Sequence, residues 1–165
     1  LQGETPAPLS GKSWMYFPEP TTPFFRVTVF SNYSPRNVPQ NGPFWSLMAE
    51  VSESSHKHVN HATIENEVIQ GLRTTHLIPD IKDIVSIWHR LEPYGYPTPT
   101  LKRDQDLESL KELEKLNIYS RGRFGAWKYE VSNQDHTFMQ GVELVNRLLL
   151  RKPEITVWNP EQVNS

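Results

Sequence analysis

Three short strand-like runs, two of them alternating, precede the first helical repeat, and that order constrains the fold more than any other feature of the chain. Phe24 to Ser31 alternates most cleanly. Phe25, Val27 and Val29 fall on one side and Arg26, Thr28 and Phe30 on the other, the period of a pleated strand. Trp14 to Phe17 reads as a shorter strand stopped by Pro18, and Phe44 to Ser52 alternates again through Trp45, Leu47, Ala49 and Val51. Past Asn60, an N-cap residue type, Ile64, Val68 and Leu72 recur at helical spacing. Ile84 to Leu91 returns to strand character, and Tyr94 to Thr100 is a Pro-locked loop. Leu107, Leu110, Leu113 and Leu116 predict an amphipathic helix capped by Asp104 or Asp106, with a brief strand at Ile118 to Ser120. Phe138, Val142, Val145 and Leu149 predict a last helix that ends before Pro153. Consecutive strands followed by helices predict an α+β fold, a mainly antiparallel sheet with three helices packed against it. Residues 1–11 are expected to be a flexible leading segment, 12–150 the folded domain and 151–165 a tail.

A chain of 165 residues suits one domain, which buries roughly 70% of its unfolded surface. A net charge of −2 gives no basis for a nucleic-acid or membrane surface. Cysteine is absent, which removes disulfides, thiolate chemistry and thiolate metal sites, and fits a reducing, cytoplasmic setting. No apolar run reaches the roughly 18 residues of a membrane span. No signal peptide is visible, and Leu1 in place of methionine is expected to mark a cut or processed end.

The segment from Tyr119 to Glu130 concentrates three cations, two glycines and a run of aromatics in a dozen positions. Glycine admits close backbone approach, Arg121 and Arg123 offer planar forks to phosphate oxygens, and Tyr129 adds a hydroxyl and a stacking face. A basic, aromatic surface loop has the same composition, and pattern alone leaves both readings open. Ser132, Asn133 and Asp135 precede the last helix. Its N-terminus either receives ordinary side-chain capping or presents N–H groups to a phosphate or an electron-rich ring. Arg26 lies mid-strand with Tyr16 and Tyr33 near it in sequence, an arrangement suited to a diphosphate or simply to a half-exposed sheet face. Glu50, Glu53, His56, His58 and His61 lack the spacing of a metal site, so no metal is expected. There is no Gly-x-Ser-x-Gly elbow, no Walker loop and no Gly-x-Gly-x-x-Gly, so a self-contained dinucleotide site is absent.

The stretch Gly122-Arg123-Phe124-Gly125-Ala126-Trp127-Lys128-Tyr129-Glu130-Val131-Ser132-Asn133-Gln134-Asp135-His136 resembles the C-terminal flavin-binding signature of eukaryotic UDP-galactopyranose mutases and their amine-oxidase-like relatives. Tyr16 to Glu19, Phe25 to Pro35, Trp45 to Ser54 and Gly95 to Thr100 agree in the same order, so the resemblance runs from about residue 12 to 150. It implies the C-terminal portion of an FAD-dependent isomerase or oxidoreductase acting on a nucleotide sugar or similar metabolite. The protein's task there is to hold the diphosphate and place the sugar against the flavin. By resemblance Arg26 grips the diphosphate, Tyr16, Tyr96 and Tyr129 give it hydroxyls, and Tyr33 lines the nucleotide side. Arg123 lies near flavin and sugar as the catalytic candidate. Gly122, Asn133 and Gln134 flank the flavin. Ser132 stands where the best-known mutases carry glycine, and Arg36 to Pro43 is shorter than their connection. The family's N-terminal dinucleotide fold and its mobile helices have no counterpart in these residues. FAD is accordingly expected in the complete fold, and its binding by this chain alone is open. A missing N-terminal half or a second copy of the chain is the expected partner. Two other readings stay open: a flavin-free isomerase or cyclase on the same fold, and a non-catalytic binding module.

Overall fold

The computed structural model describes residues 1–164, which form two compact units, Leu1–Arg90 and Leu91–Ser165. The first unit carries α1 (Ala7–Ser10), the strands β1 (Trp14–Tyr16), β2 (Arg26–Val29) and β3 (Leu47–Glu50), and α2 (Ile64–Thr74). The second carries α3 (Arg103–Glu114), α4 (Gln134–Leu150) and the short α5 (Pro160–Val163). The sheet is antiparallel in the order β1-β2-β3, so the α+β expectation holds.

Register follows from alternation. Met15 faces Val27 and Val27 faces Ala49, which gathers the apolar side of all three strands. Phe24, Val27, Val29 and Trp45 are almost fully buried and join Leu9, Leu72, Leu77 and Ile78 in one cluster. Each such side chain stabilises by roughly 1.5–3 kcal/mol on removal from water. α2 closes the cluster because its apolar arc, Ile64, Val68 and Leu72, faces inward at 3.6-residue spacing. Residues 1–11 do not hang loose. Leu9 enters the core, the Leu1 ammonium donates to Trp45 O at 2.9 Å, and Gln2 bridges Phe44.

Three local expectations fail for physical reasons. Ile84 to Leu91 forms no strand, and Val85, Ile87, Trp88 and Leu91 stay exposed, because alternation alone supplies no partner strand to complete the ladder. Ile118 to Ser120 is likewise outside any strand. Asp104 and Asp106 do not cap α3; both lie inside its first turn after Lys102, where their charge favours the helix dipole instead.

The second unit is built differently. Its buried groups are largely polar: Ser132, Gln140, Glu154 and Thr156 accompany Ala126, Val131 and Val157. Residues 151–158 are not a free tail. The Glu154 side chain is fully buried and accepts from Arg121, which also donates to Glu114 at 2.7 Å. Arg147 donates to Glu114 at 2.9 Å. Its Nε lies 2.9 Å from Glu154 Oε1 but off the line a hydrogen bond requires. Hydrogen bonding to Glu154 holds the Arg121 guanidinium above its ordinary value against the opposing effect of burial. Burial acts to raise the Glu114 carboxyl, yet the hydrogen bonds from Arg121 and Arg147 outweigh it and hold it below its ordinary 4.5. Among the described residues no helix is long and apolar enough to cross a membrane.

Candidate functional site

In the first unit, sheet register makes one row of three side chains. Tyr16 opposes Arg26, and Arg26 opposes Glu50. The Arg26 guanidinium lies 6.0 Å from the Tyr16 ring centroid. Its fork is taken up by Glu50: Nε donates to Oε1 and Nη2 to Oε2, each at 2.6 Å. The sequence reading missed Glu50 as a partner of Arg26, because the two are 24 residues apart and only strand pairing aligns them. Tyr33 lies past the end of β2, half-exposed, with its ring edge-on to Phe30 at 6.1 Å.

In the second unit, Tyr96, Arg123 and Tyr129 come together. The Arg123 guanidinium sits 4.5 Å over the Tyr96 ring, and the Tyr96 and Tyr129 rings are 6.5 Å apart. Arg123 Nη1 donates to Ser132 O at 2.9 Å, and no carboxylate pairs with Arg123 among the described residues. A guanidinium facing an aromatic ring and a carbonyl keeps its charge uncompensated and suits an anionic ligand.

The loop that positions Arg123 is shaped by two glycines and a buried amide. Gly122 has φ +87°, a conformation L side chains rarely adopt, and a Cβ there would press on Thr137. A Cβ on Gly125 would overlap the backbone of Arg121 at 2.2 Å. The close approach expected of these glycines toward a ligand is thus, in part, an approach to their own chain. Gln140, fully buried, accepts from Gly122 N and donates to Val131 O, both at 2.8 Å, and so ties the two ends of the loop to α4. Sequence reasoning overlooked Gln140. The signal was there, a polar residue on the helix side opposite Phe138 and Val142. Ser132, with φ −115°, takes a side chain without strain, and its hydroxyl donates to Tyr129 O at 3.0 Å.

Ordinary side-chain capping of α4 does not occur. Asn133 occupies the N-cap but its side chain makes no capping hydrogen bond. The N–H groups of the first turn have no intrahelical acceptors and so favour an electron-rich group. His136 Nδ1 and Thr137 Oγ1, in the same turn, are buried without a partner. The uncapped N–H groups at the helix start are of the kind that fits the acceptor-rich edge of a flavin ring. Asn133 and Gln134 are exposed at this end of the helix. No group of three His, Asp or Glu residues that could hold a metal gathers among the described residues.

No family model matches the sequence. Among solved structures the chain is similar to a crystal structure of reduced UDP-galactopyranose mutase, with a TM-score of 0.88 and 51% sequence identity. The match covers 99% of this chain but 34% of that one, so the chain spans about a third of that mutase's length.

Proposed function

From a chain that is UDP-galactopyranose mutase-like over 99% of its length, we propose that these residues are part of a flavin-dependent isomerase acting on a nucleotide sugar. The observation that carries the reading is the Tyr96–Arg123–Tyr129 group, with its uncompensated guanidinium, in the same unit as an uncapped α4 N-terminus. FAD, when bound, supplies the electron-rich centre that reacts with the sugar.

The chain's own residues bind, orient and hold charge. Arg123 faces the sugar and flavin and steadies negative charge there, its plane fixed by Tyr96 and by the Ser132 carbonyl. Tyr96 and Tyr129 offer hydroxyls to the diphosphate. Gly122 lets the loop turn so that Arg123 is presented, and Asn133, Gln134 and the first N–H groups of α4 receive the flavin. In the first unit, Tyr16 and Arg26 serve the diphosphate and Tyr33 the nucleotide. Glu50 holds the Arg26 fork, so a diphosphate there has to displace the carboxylate or use the outer N–H groups. The cysteine-free sequence fits a cytoplasmic setting for such an enzyme.

The test is reconstitution with FAD and the remaining portion of the mutase, followed by titration with UDP-galactose. Flavin absorbance should co-elute with the complex. Arg123→Ala should weaken UDP-galactose binding by at least about tenfold, the worth of a hydrogen bond to a charged group. Affinity unchanged by both Arg123→Ala and Arg26→Ala would end this reading.

A further inference from the structure

The Gln140 side chain is fully buried, and each end of its amide is used. Oε1 accepts from Gly122 N and Nε2 donates to Val131 O, both at 2.8 Å. The partners fix which end is which, because a backbone N–H only donates and a carbonyl only accepts.

The two clamped residues are the neighbours of a second contact. Gly122 precedes Arg123, and Val131 precedes Ser132, whose carbonyl accepts from Arg123 Nη1 at 2.9 Å. One amide therefore holds the chain immediately before each end of the Arg123–Ser132 bond. The loop closes two short turns of its own, from Ala126 N to Gly122 O and over Tyr129–Val131. Neither turn joins Arg123 to Ser132. Thr137, three residues before Gln140 on α4, adds a steric stop. Its Cγ2 lies 2.9 Å from the place a Cβ on Gly122 would occupy, so the helix packs directly on the backbone that leads into Arg123.

We propose that Gln140 is a positioning residue for Arg123: it sets how the guanidinium is presented over Tyr96 and fixes it relative to the start of α4. The inference rests on the function proposed above and deepens it at the same site. Gln140 touches no ligand in this role and acts through Arg123. The amide suits the task because it carries a donor and an acceptor in one plane. A leucine of similar size fills the space and strands both backbone groups. An ionised carboxylate accepts from Gly122 N but opposes Val131 O, acceptor against acceptor. The protonated acid carries one hydrogen and restores the donor. Burial favours that protonated form and raises the carboxyl above its ordinary value.

The experiment reads Arg123 directly. Its guanidinium lies 4.5 Å from the Tyr96 ring centroid, so the ring current moves its side-chain NMR signals upfield, and Tyr96→Leu identifies that shift by removing it. In the full 165-residue chain Gln140→Leu should collapse most of the shift. Gln140→Glu should keep it while the introduced carboxyl is protonated and lose it as that carboxyl ionises. Both signals are followed in one pH series above about pH 5, clear of ordinary carboxylates. Where Gln140→Leu unfolds the unit, that series decides. In the protein reconstituted with FAD and the remaining portion of the mutase, Gln140→Leu should weaken UDP-galactose binding by about three- to tenfold, no more than Arg123→Ala does. In the Arg123→Ala background it should have no further effect. An upfield shift indifferent to both Gln140 substitutions overturns the proposal, because Arg123 is then oriented without the amide. A binding loss that persists in full after Arg123→Ala also overturns it, because Gln140 then supports the fold at large. If Arg123→Ala leaves affinity unchanged while the shift still follows Gln140, the binding role of Arg123 falls and its positioning by Gln140 stands.

Discussion

The two units solve the same problem with opposite materials. The first buries Phe24, Val27, Val29, Trp45 and Leu72 together and is stabilised as an ordinary apolar core. The second buries Gln140, Glu154 and Thr156 and leaves Phe138, Val145 and Leu149 in water. Their arginines differ in the same spirit. Arg26 is neutralised by a bidentate carboxylate, whereas Arg123 has a ring and a carbonyl. The lesson is that the first unit is held by an apolar cluster, whereas the second fixes its loops through buried polar partners and leaves an apolar helix face in water. Polar burial of this kind fixes geometry well but adds little net stability, because desolvation offsets the pairing.

That contrast is open to direct attack by substitution. The largest loss should come from Phe24→Ala, about 3–5 kcal/mol in chemical denaturation, through the cavity left in the first unit's cluster. A loss below 1 kcal/mol would show that this cluster does not hold the unit. Glu154→Ala should cost about 3 kcal/mol, since Arg121 is left in a mostly buried position with only Glu114 and a carbonyl; Arg147 is more exposed and recovers water. A neutral result would mean the network is ornamental and the contrast between units is wrong. Gln140→Leu should cost about 1–3 kcal/mol by stranding Gly122 N and Val131 O. Increased proteolysis between residues 122 and 131 should accompany it.

Acid sharpens the comparison further. Glu114 is held below its ordinary 4.5, so its contribution is complete above that value and is lost as pH falls through the lower folded-state value. Melting followed by tyrosine and tryptophan signals of each unit should show the second unit weakening first below about pH 4.5, the reference carboxylate range. Simultaneous loss of both units would argue against it. The smallest effect belongs to Leu149→Ala, within about 0.5 kcal/mol in the isolated chain, because the side chain buries little there.

Much of the fold was legible because periodicity is local. The alternation around Val27 located β2, and Ile64, Val68 and Leu72 located α2 with its inward face. The cluster Tyr96, Arg123 and Tyr129 was also among the expected site residues, and its members do meet. Glu50 and Gln140 were not legible as partners, since each reaches its target through strand pairing or across a loop rather than along the chain. The false strand at Ile84 to Leu91 has the same origin: a pattern describes a willing strand, but a ladder needs a neighbour.

The sequence by itself determined where the chain turns, which stretches alternate and which arc of α4 is apolar, because steric and solvation preferences act on neighbouring residues. Only the tertiary structure decided which way that arc points, that Arg26 is held by Glu50 while Arg123 is not, and that Gly125 is pressed against Arg121. Periodicity defines a face up to its direction. The direction is fixed by where distant polar groups find their partners, and in α4 it was Gln140, Glu143 and Arg147 that found them inside.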